Sequence, residues 1–124
     1  PNVFAAIAPV AAFMHGGEWL DELNVYLWEN RKRAEEYIDR EIENVTAVHG
    51  EATYLLWIDC RKVTEDSEDL SEFIRKETGL YISAGKEYHN GDGFLRMNLA
   101  CPGTRLEEGL KRLKAGIEAY RGSI

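Results

Sequence analysis

The sequence predicts an α+β fold, a two-layer α/β sandwich in which a small, mostly antiparallel sheet of about three strands carries helices on one face and is preceded by a long helix. Three observations lead there. Apolar residues recur at helical spacing towards both ends of the chain, short aromatic and aliphatic runs lie between them, and an Asn90-Gly91 turn dipeptide separates the last two of those runs. At 124 residues the chain is long enough for one core and too short for two.

The first element is an apolar segment at 3–14, which reads as a helix with little polar face of its own. Such a helix needs cover from another element. It is interrupted by Pro9, is too short to cross a bilayer, and follows no basic segment of the kind a signal peptide carries. The chain opens on Pro1-Asn2 rather than methionine, so a piece of a larger protein is expected, with processing of a mature N-terminus as the alternative.

Gly16-Gly17 break the pattern, and from 18 to about 43 Leu20, Leu23, Leu27, Ala34, Tyr37 and Ile38 recur between charged residues. That spacing predicts a long amphipathic helix, with Asn44 near its stop. Residues 53–60, TYLLWIDC, follow Gly50 and contain few good helix formers, which predicts a buried strand. Residues 66–78 place Leu70, Phe73 and Ile74 on one helical face, with Asp66 or Ser67 as N-cap and Gly79 as C-terminal stop.

Residues 80–84 are short and β-like, and 94–100 form the next strand, joined to it by a glycine-rich hairpin connection. Pro102 ends that strand. Thr104-Arg105-Leu106-Glu107 has the capping-box pattern, and Leu106, Leu110, Leu113, Ile117 and Tyr120 then mark a final helix.

Composition narrows the function. Hydrophobic residues make up 44% and charged residues 30% of the chain, close to an average soluble protein, so neither disorder nor a membrane span is suggested. With 22 acidic against 15 basic residues the formal net charge is −7, which disfavours nucleic acid and anionic membranes as partners. The basic runs Arg31-Lys32-Arg33 and Lys111-Arg112 lie among glutamates on expected helices and read as solvated faces. Cys60 and Cys101 are far apart in apolar contexts and are expected to be free thiols in a reducing compartment, the cytoplasm, with a disulfide as the alternative.

One strand contains a charge. In 94–100, Leu95, Met97 and Leu99 share one face while Phe94, Arg96, Asn98 and Ala100 share the other. Two accounts fit Arg96. It is a solvated arginine paired with a neighbouring carboxylate, or it is a planar fork held on a rigid strand to receive a carboxylate ligand.

Other candidates are weaker. Lys86, after Gly85 in a flexible loop, lacks a recognisable phosphate cradle or acidic partner for a Schiff-base role and reads as a surface lysine. Gly91-Asp92-Gly93 is a turn, too short for a nucleotide fingerprint. His15, His49 and His89 stand at no ligand spacing, so no metal site is expected. Trp19, Trp28 and Trp57 read as core or interdomain packing residues.

The run GDGFLRMNLACPGTRLEEGLKRL, together with HGGEWLDELNVYL, resembles the C-terminal part of the MalY/PatB group of fold-type I pyridoxal-phosphate enzymes, the aminotransferase-like cystathionine β-lyases. The resemblance extends over essentially the whole chain and is most specific in FLRMNLACP and around Trp19-Leu20. It implies that 1–124 is a single C-terminal small domain, with 1–17 a helical segment leading from a large domain that this chain does not include. It also implies that Arg96 binds the α-carboxylate of an amino-acid substrate, with Asn98 supporting the same face and Tyr88 in the substrate loop.

By the same resemblance the Schiff-base lysine, the aspartate facing the pyridine nitrogen and the phosphate-binding residues lie in the large domain. This chain would then hold no catalytic, cofactor-binding or metal-binding residue, and the parent would be a homodimeric aminotransferase or C–S β-lyase of amino-acid metabolism. Relatives often carry phenylalanine and glycine where this chain has Tyr88-His89, and a basic residue where it has Gly103. A stand-alone α/β module that binds a small anion or another protein is the second reading.

Overall fold

The computed structural model describes residues 2–124. Helix α1 (Val3–His15) starts at Asn2, whose side chain accepts a hydrogen bond from the Ala5 amide at 2.8 Å. It buries none of its residues, and Phe13 is 92% exposed. The chain breaks at Gly16 and turns by 76° into α2 (Gly17–Glu41). No single helix among the described residues is long and apolar enough to cross a membrane.

Helix α2 has two halves. Its first half leaves Trp19, Leu20, Val25 and Trp28 largely exposed, while its second half buries Asn30, Arg31, Ala34 and Ile38. The expected amphipathic stripe therefore meets the core only from Asn30 onward.

The sheet has four strands in the order β1-β2-β4-β3, every neighbouring pair antiparallel: β1 (Thr46–Ala47), β2 (Leu55–Asp59), β3 (Ser83–Ala84) and β4 (Phe94–Asn98). Strand β1 adds one strand to those the sequence pattern discloses, because two residues are too few to show alternation. The strand expected over 80–84 narrows to Ser83–Ala84, since only these two residues pair with β4.

Helix α3 (Ser67–Thr78) begins where expected, with the Asp66 carboxylate accepting from the Asp69 amide at 3.0 Å, and it ends on Gly79 in the left-handed region (φ 76°). Helix α4 (Gly103–Ser123) does not use its capping box: Pro102 is the N-cap residue and no side-chain cap forms, because the helix has already begun at Gly103 and Thr104 lies inside it. The apolar stripe of α4 is buried as expected at Leu106, Leu110, Leu113, Ile117 and Tyr120.

These pieces make one core. Leu56, Ile58, Leu95, Met97 and Leu99 project from one face of the sheet onto Ala34, Ile38, Leu70, Ile74 and the α4 stripe. Burying a side chain of this kind stabilises by about 1.5–3 kcal/mol, so the covered face carries the fold. Among the described residues no α-helix covers the opposite face, and its residues Leu55, Trp57, Asp59, Phe94 and Arg96 are only half-buried. Cys60 and Cys101 are both free, and burial of Cys60 pushes its thiol up to about 12.

Candidate functional site

The open face is where strand pairing gathers the chemistry. Residues directly opposite in antiparallel strands share a face, and the register sets Trp57 opposite Arg96 on one side and Ser83 opposite Arg96 on the other. Leu55 faces Asn98, and Asp59 faces Phe94. Arg96 thus stands in the middle of a strand with paired neighbours on both sides, which gives its backbone a rigid seat.

The loop after β3 supplies the next contact. A 3-10 turn (Gly85–Glu87) leads into Tyr88, whose amide donates to the Gly85 carbonyl at 2.9 Å. Gly85 and Gly91 lie so close that a Cβ on either would overlap the other's carbonyl, and Asn90 adopts the left-handed conformation between them (φ 57°). The loop is pinned again where the Cys60 amide donates to Gly93 O at 2.8 Å. This tight closure carries Tyr88 onto the open face.

There the Arg96 Cζ lies 4.2 Å from the Tyr88 ring centroid, a cation–π stack. Tyr88 in turn meets Trp57 edge to face, with centroids 5.6 Å apart and planes at 87°, and Trp57 meets Phe94 at 6.0 Å and 89°. The guanidinium is stacked on one face and keeps its N–H edges available.

Charge pairing on this face is uneven. Asp59 is engaged by Arg61, through Nε to Oδ1 at 3.0 Å and Nη2 to Oδ2 at 2.7 Å, and these bonds hold the Asp59 carboxyl below its ordinary range. Arg61 also lies over Phe94, with Cζ 4.9 Å from the ring centroid. Arg96, by contrast, has no carboxylate within 4.0 Å among the described residues. It is a half-buried, positioned cation without a protein anion.

The other sequence candidates fall as follows. Asn98 is exposed on the same face as Arg96, and its Oδ1 accepts from the Ala100 amide at 2.8 Å, closing the end of β4. Lys86 is exposed and its Nζ sits 2.9 Å from Glu68, which raises the amine, the opposite of what imine formation asks. His49 Nδ1 lies 2.9 Å from Glu35 and its Nε2 lies 3.3 Å from Asp39; the Glu35 hydrogen bond is the main cause that raises the imidazole. Among the described residues no cluster of histidine, cysteine and carboxylate could hold a metal ion.

Three residues have partners that sequence reasoning does not reach. Trp57, expected to serve core or interdomain packing, stands on the open face beside Arg96. Arg31, expected on a solvated face, is buried because its guanidinium finds backbone carbonyls. Asn30 and Arg31 are buried polar groups on α2. Asn30 Nδ2 donates to Leu99 O at 2.9 Å and Cys101 O at 3.1 Å, and Arg31 Nη2 donates to Ala52 O, Thr53 O and Leu55 O at 3.1, 3.0 and 2.8 Å. Together they fix where β2 begins and β4 ends. The signal was a polar residue on the Ala34 and Ile38 stripe, four residues before Ala34.

A separate cleft of about 560 Å³ opens where the chain before β3 splays from the end of β4. It is lined by Tyr81, Met97, Asn98, Arg105 and Arg112 among others and does not include Arg96, Trp57 or Tyr88. Arg112 is paired there with Glu108 at 3.0 Å. The open face, not this cleft, holds the positioned cation.

Comparison with known proteins agrees with this architecture. Residues 3–113 match the profile of the family described as Aminotransferase class I and II. The chain is 34% identical over 117 residues to cystathionine β-lyase PatB of Bacillus subtilis, covering 94% of this chain and 30% of that protein. It is 32% identical over 122 residues to protein MalY of Escherichia coli, covering 98% and 31%. The structure of the PLP-bound C-S lyase from Staphylococcus hominis superposes with a TM-score of 0.85 at 29% identity, over 94% of this chain and 31% of that one. The chain therefore spans about 30% of the length of the curated relatives it matches. With the family profile running from α1 into α4 across the whole sheet, the chain belongs to the aminotransferase class I and II family.

Proposed function

We propose that this chain forms the small, substrate-carboxylate-binding domain of a pyridoxal-phosphate-dependent aminotransferase or C–S β-lyase acting on amino acids. The observation that carries the reading is Arg96, a cation seated mid-strand, stacked on Tyr88 and free of any carboxylate partner among the described residues. A guanidinium so placed offers two parallel N–H bonds to a carboxylate and fixes the orientation of the bound molecule about its Cα. Tyr88 and Trp57 shield one side of that contact from water.

The residues of this chain do not fit a resident cofactor. Lys86 is held charged by Glu68, and the loop after it closes on its own carbonyls and offers no cradle for a phosphate. Pyridoxal phosphate, which when bound draws electrons from the substrate Cα, would be held by a larger domain outside this chain. The uncovered apolar surface of α1 and the first half of α2 supports such a neighbour. On this reading the chain alone is inactive, the parent is a homodimer, and two free cysteines fit a reducing, cytoplasmic location.

The test begins in the coding sequence. On this reading the segment upstream of the Pro1 codon continues in frame and encodes a Ser-x-x-Lys-type cofactor motif. The full-length protein then releases thiol from a sulfur-containing amino acid, or converts an amino acid to its oxo acid with a second oxo acid as amino acceptor, when supplied with pyridoxal phosphate. A start codon immediately before Pro1, or a full-length protein with neither activity, overturns it.

A further inference from the structure

We infer that Trp57 is a positioning residue for the Arg96 guanidinium and acts through Tyr88, an inference that rests on the reading of Arg96 as a carboxylate site. An arginine on an uncovered sheet face has several rotatable bonds and gives up much rotamer freedom when fixed, so something must hold it. Tyr88 does so at 4.2 Å, but Tyr88 sits on a loop and is itself only half-buried. Trp57 is mid-strand, directly opposite Arg96, and it meets Tyr88 edge to face at 5.6 Å while Phe94 meets it from another side at 6.0 Å. The rigid strand thereby fixes the indole, the indole fixes the phenol ring, and the ring fixes the plane of the guanidinium.

The alternative is that Trp57 is only apolar cover. The two accounts separate chemically, because edge-to-face contact depends on the aromatic quadrupole, which a leucine of similar apolar character lacks. Trp57→Leu keeps cover and removes the contact, whereas Trp57→Phe keeps both in part.

The experiment is NMR of this chain, following the Arg96 Nε–Hε and Cδ–Hδ resonances, which the Tyr88 ring current displaces upfield. Trp57→Leu is expected to collapse that displacement and to cut the Arg96 response to a fixed, sub-saturating concentration of acetate by about threefold. Tyr88→Ala is expected to do the same, the double variant no more than either single, and Trp57→Phe to recover most of both readouts. L-alanine methyl ester, which lacks the anion, should leave Arg96 unmoved throughout.

Wild-type displacement and acetate response in a folded Trp57→Leu chain overturn the inference and leave the carboxylate site standing. Losses that add in the double variant also overturn it, since Trp57 would then act independently of Tyr88. Acetate that fails to move Arg96 in the wild-type chain overturns the carboxylate reading, and with it the role given to Trp57.

Discussion

Arg61 closes on Asp59 through two bonds, at 3.0 and 2.7 Å, and so removes from the open face the carboxylate that stands on the strand beside Arg96. Asp59 is two residues along β2 from Trp57, the partner of Arg96, which puts it at diagonal distance from the cation. Replacing Arg61 by Gln should release that carboxylate to compete for Arg96. The acetate response of Arg96 is expected to fall severalfold in Arg61→Gln, while Arg61→Lys retains part of it. The Asp59 carboxyl should also titrate higher, since Arg61 is the first cause of its depression.

The loop that carries Tyr88 depends on two glycines in contact. Gly91→Ala forces a Cβ into the Gly85 carbonyl and Gly85→Ala does the reverse. Each is expected to cost about 1–3 kcal/mol, read as a lower midpoint in urea denaturation, and to displace Tyr88 from Arg96 even where the fold survives. An unchanged Arg96 ring-current displacement in folded Gly91→Ala would show that the loop does not set the stack.

The buried amide of Asn30 ties α2 to the exit of β4. Asn30→Leu leaves the Leu99 and Cys101 carbonyls without this donor, although Tyr26 Oη still donates to Cys101 O at 2.9 Å. A loss of about 1–3 kcal/mol in unfolding free energy is expected, with faster amide exchange around Leu99.

His49 gives one part of the chain a pH dependence. Its imidazole is raised from 6.5 by Glu35 and Asp39 on α2, so its contribution to stability is fully present below pH 6.5 and is lost as pH rises through the folded-state value. The groups facing it are those two carboxylates, with Arg31 on the far side of Glu35 at 3.5 Å. Amide exchange in residues 48–54 should therefore quicken, relative to the intrinsic rate, on going from slightly acidic to slightly alkaline solution. His49→Gln should flatten that change.

Much of this was legible in the chain, and the limits have physical causes. The α4 stripe and the α3 caps were readable because helical period and left-handed glycine act locally. Alternation along β4 was enough to put Arg96 on the face away from Leu95, Met97 and Leu99. What surrounds Arg96 was not readable, because Trp57 and Tyr88 reach it across β2 and a folded loop, and no short-range pattern encodes a cross-strand register. Strand β1 escaped because two residues have no period, and the capping box at Thr104 failed because Pro102 started the helix earlier. Asn30 and Arg31 look like surface residues until their backbone partners are known.

The central claim is that Arg96 receives the carboxylate of an amino acid, and the most direct measurement is kcat/KM of the full-length protein with Arg96 replaced by Lys and by Met. Loss of a bidentate contact at a half-buried site predicts a fall of roughly a hundredfold or more, expressed chiefly in KM, with Lys recovering only part because it keeps the charge and not the fork. An Arg96→Met enzyme that folds, binds its cofactor and turns over its amino-acid substrate with unchanged KM would contradict the account.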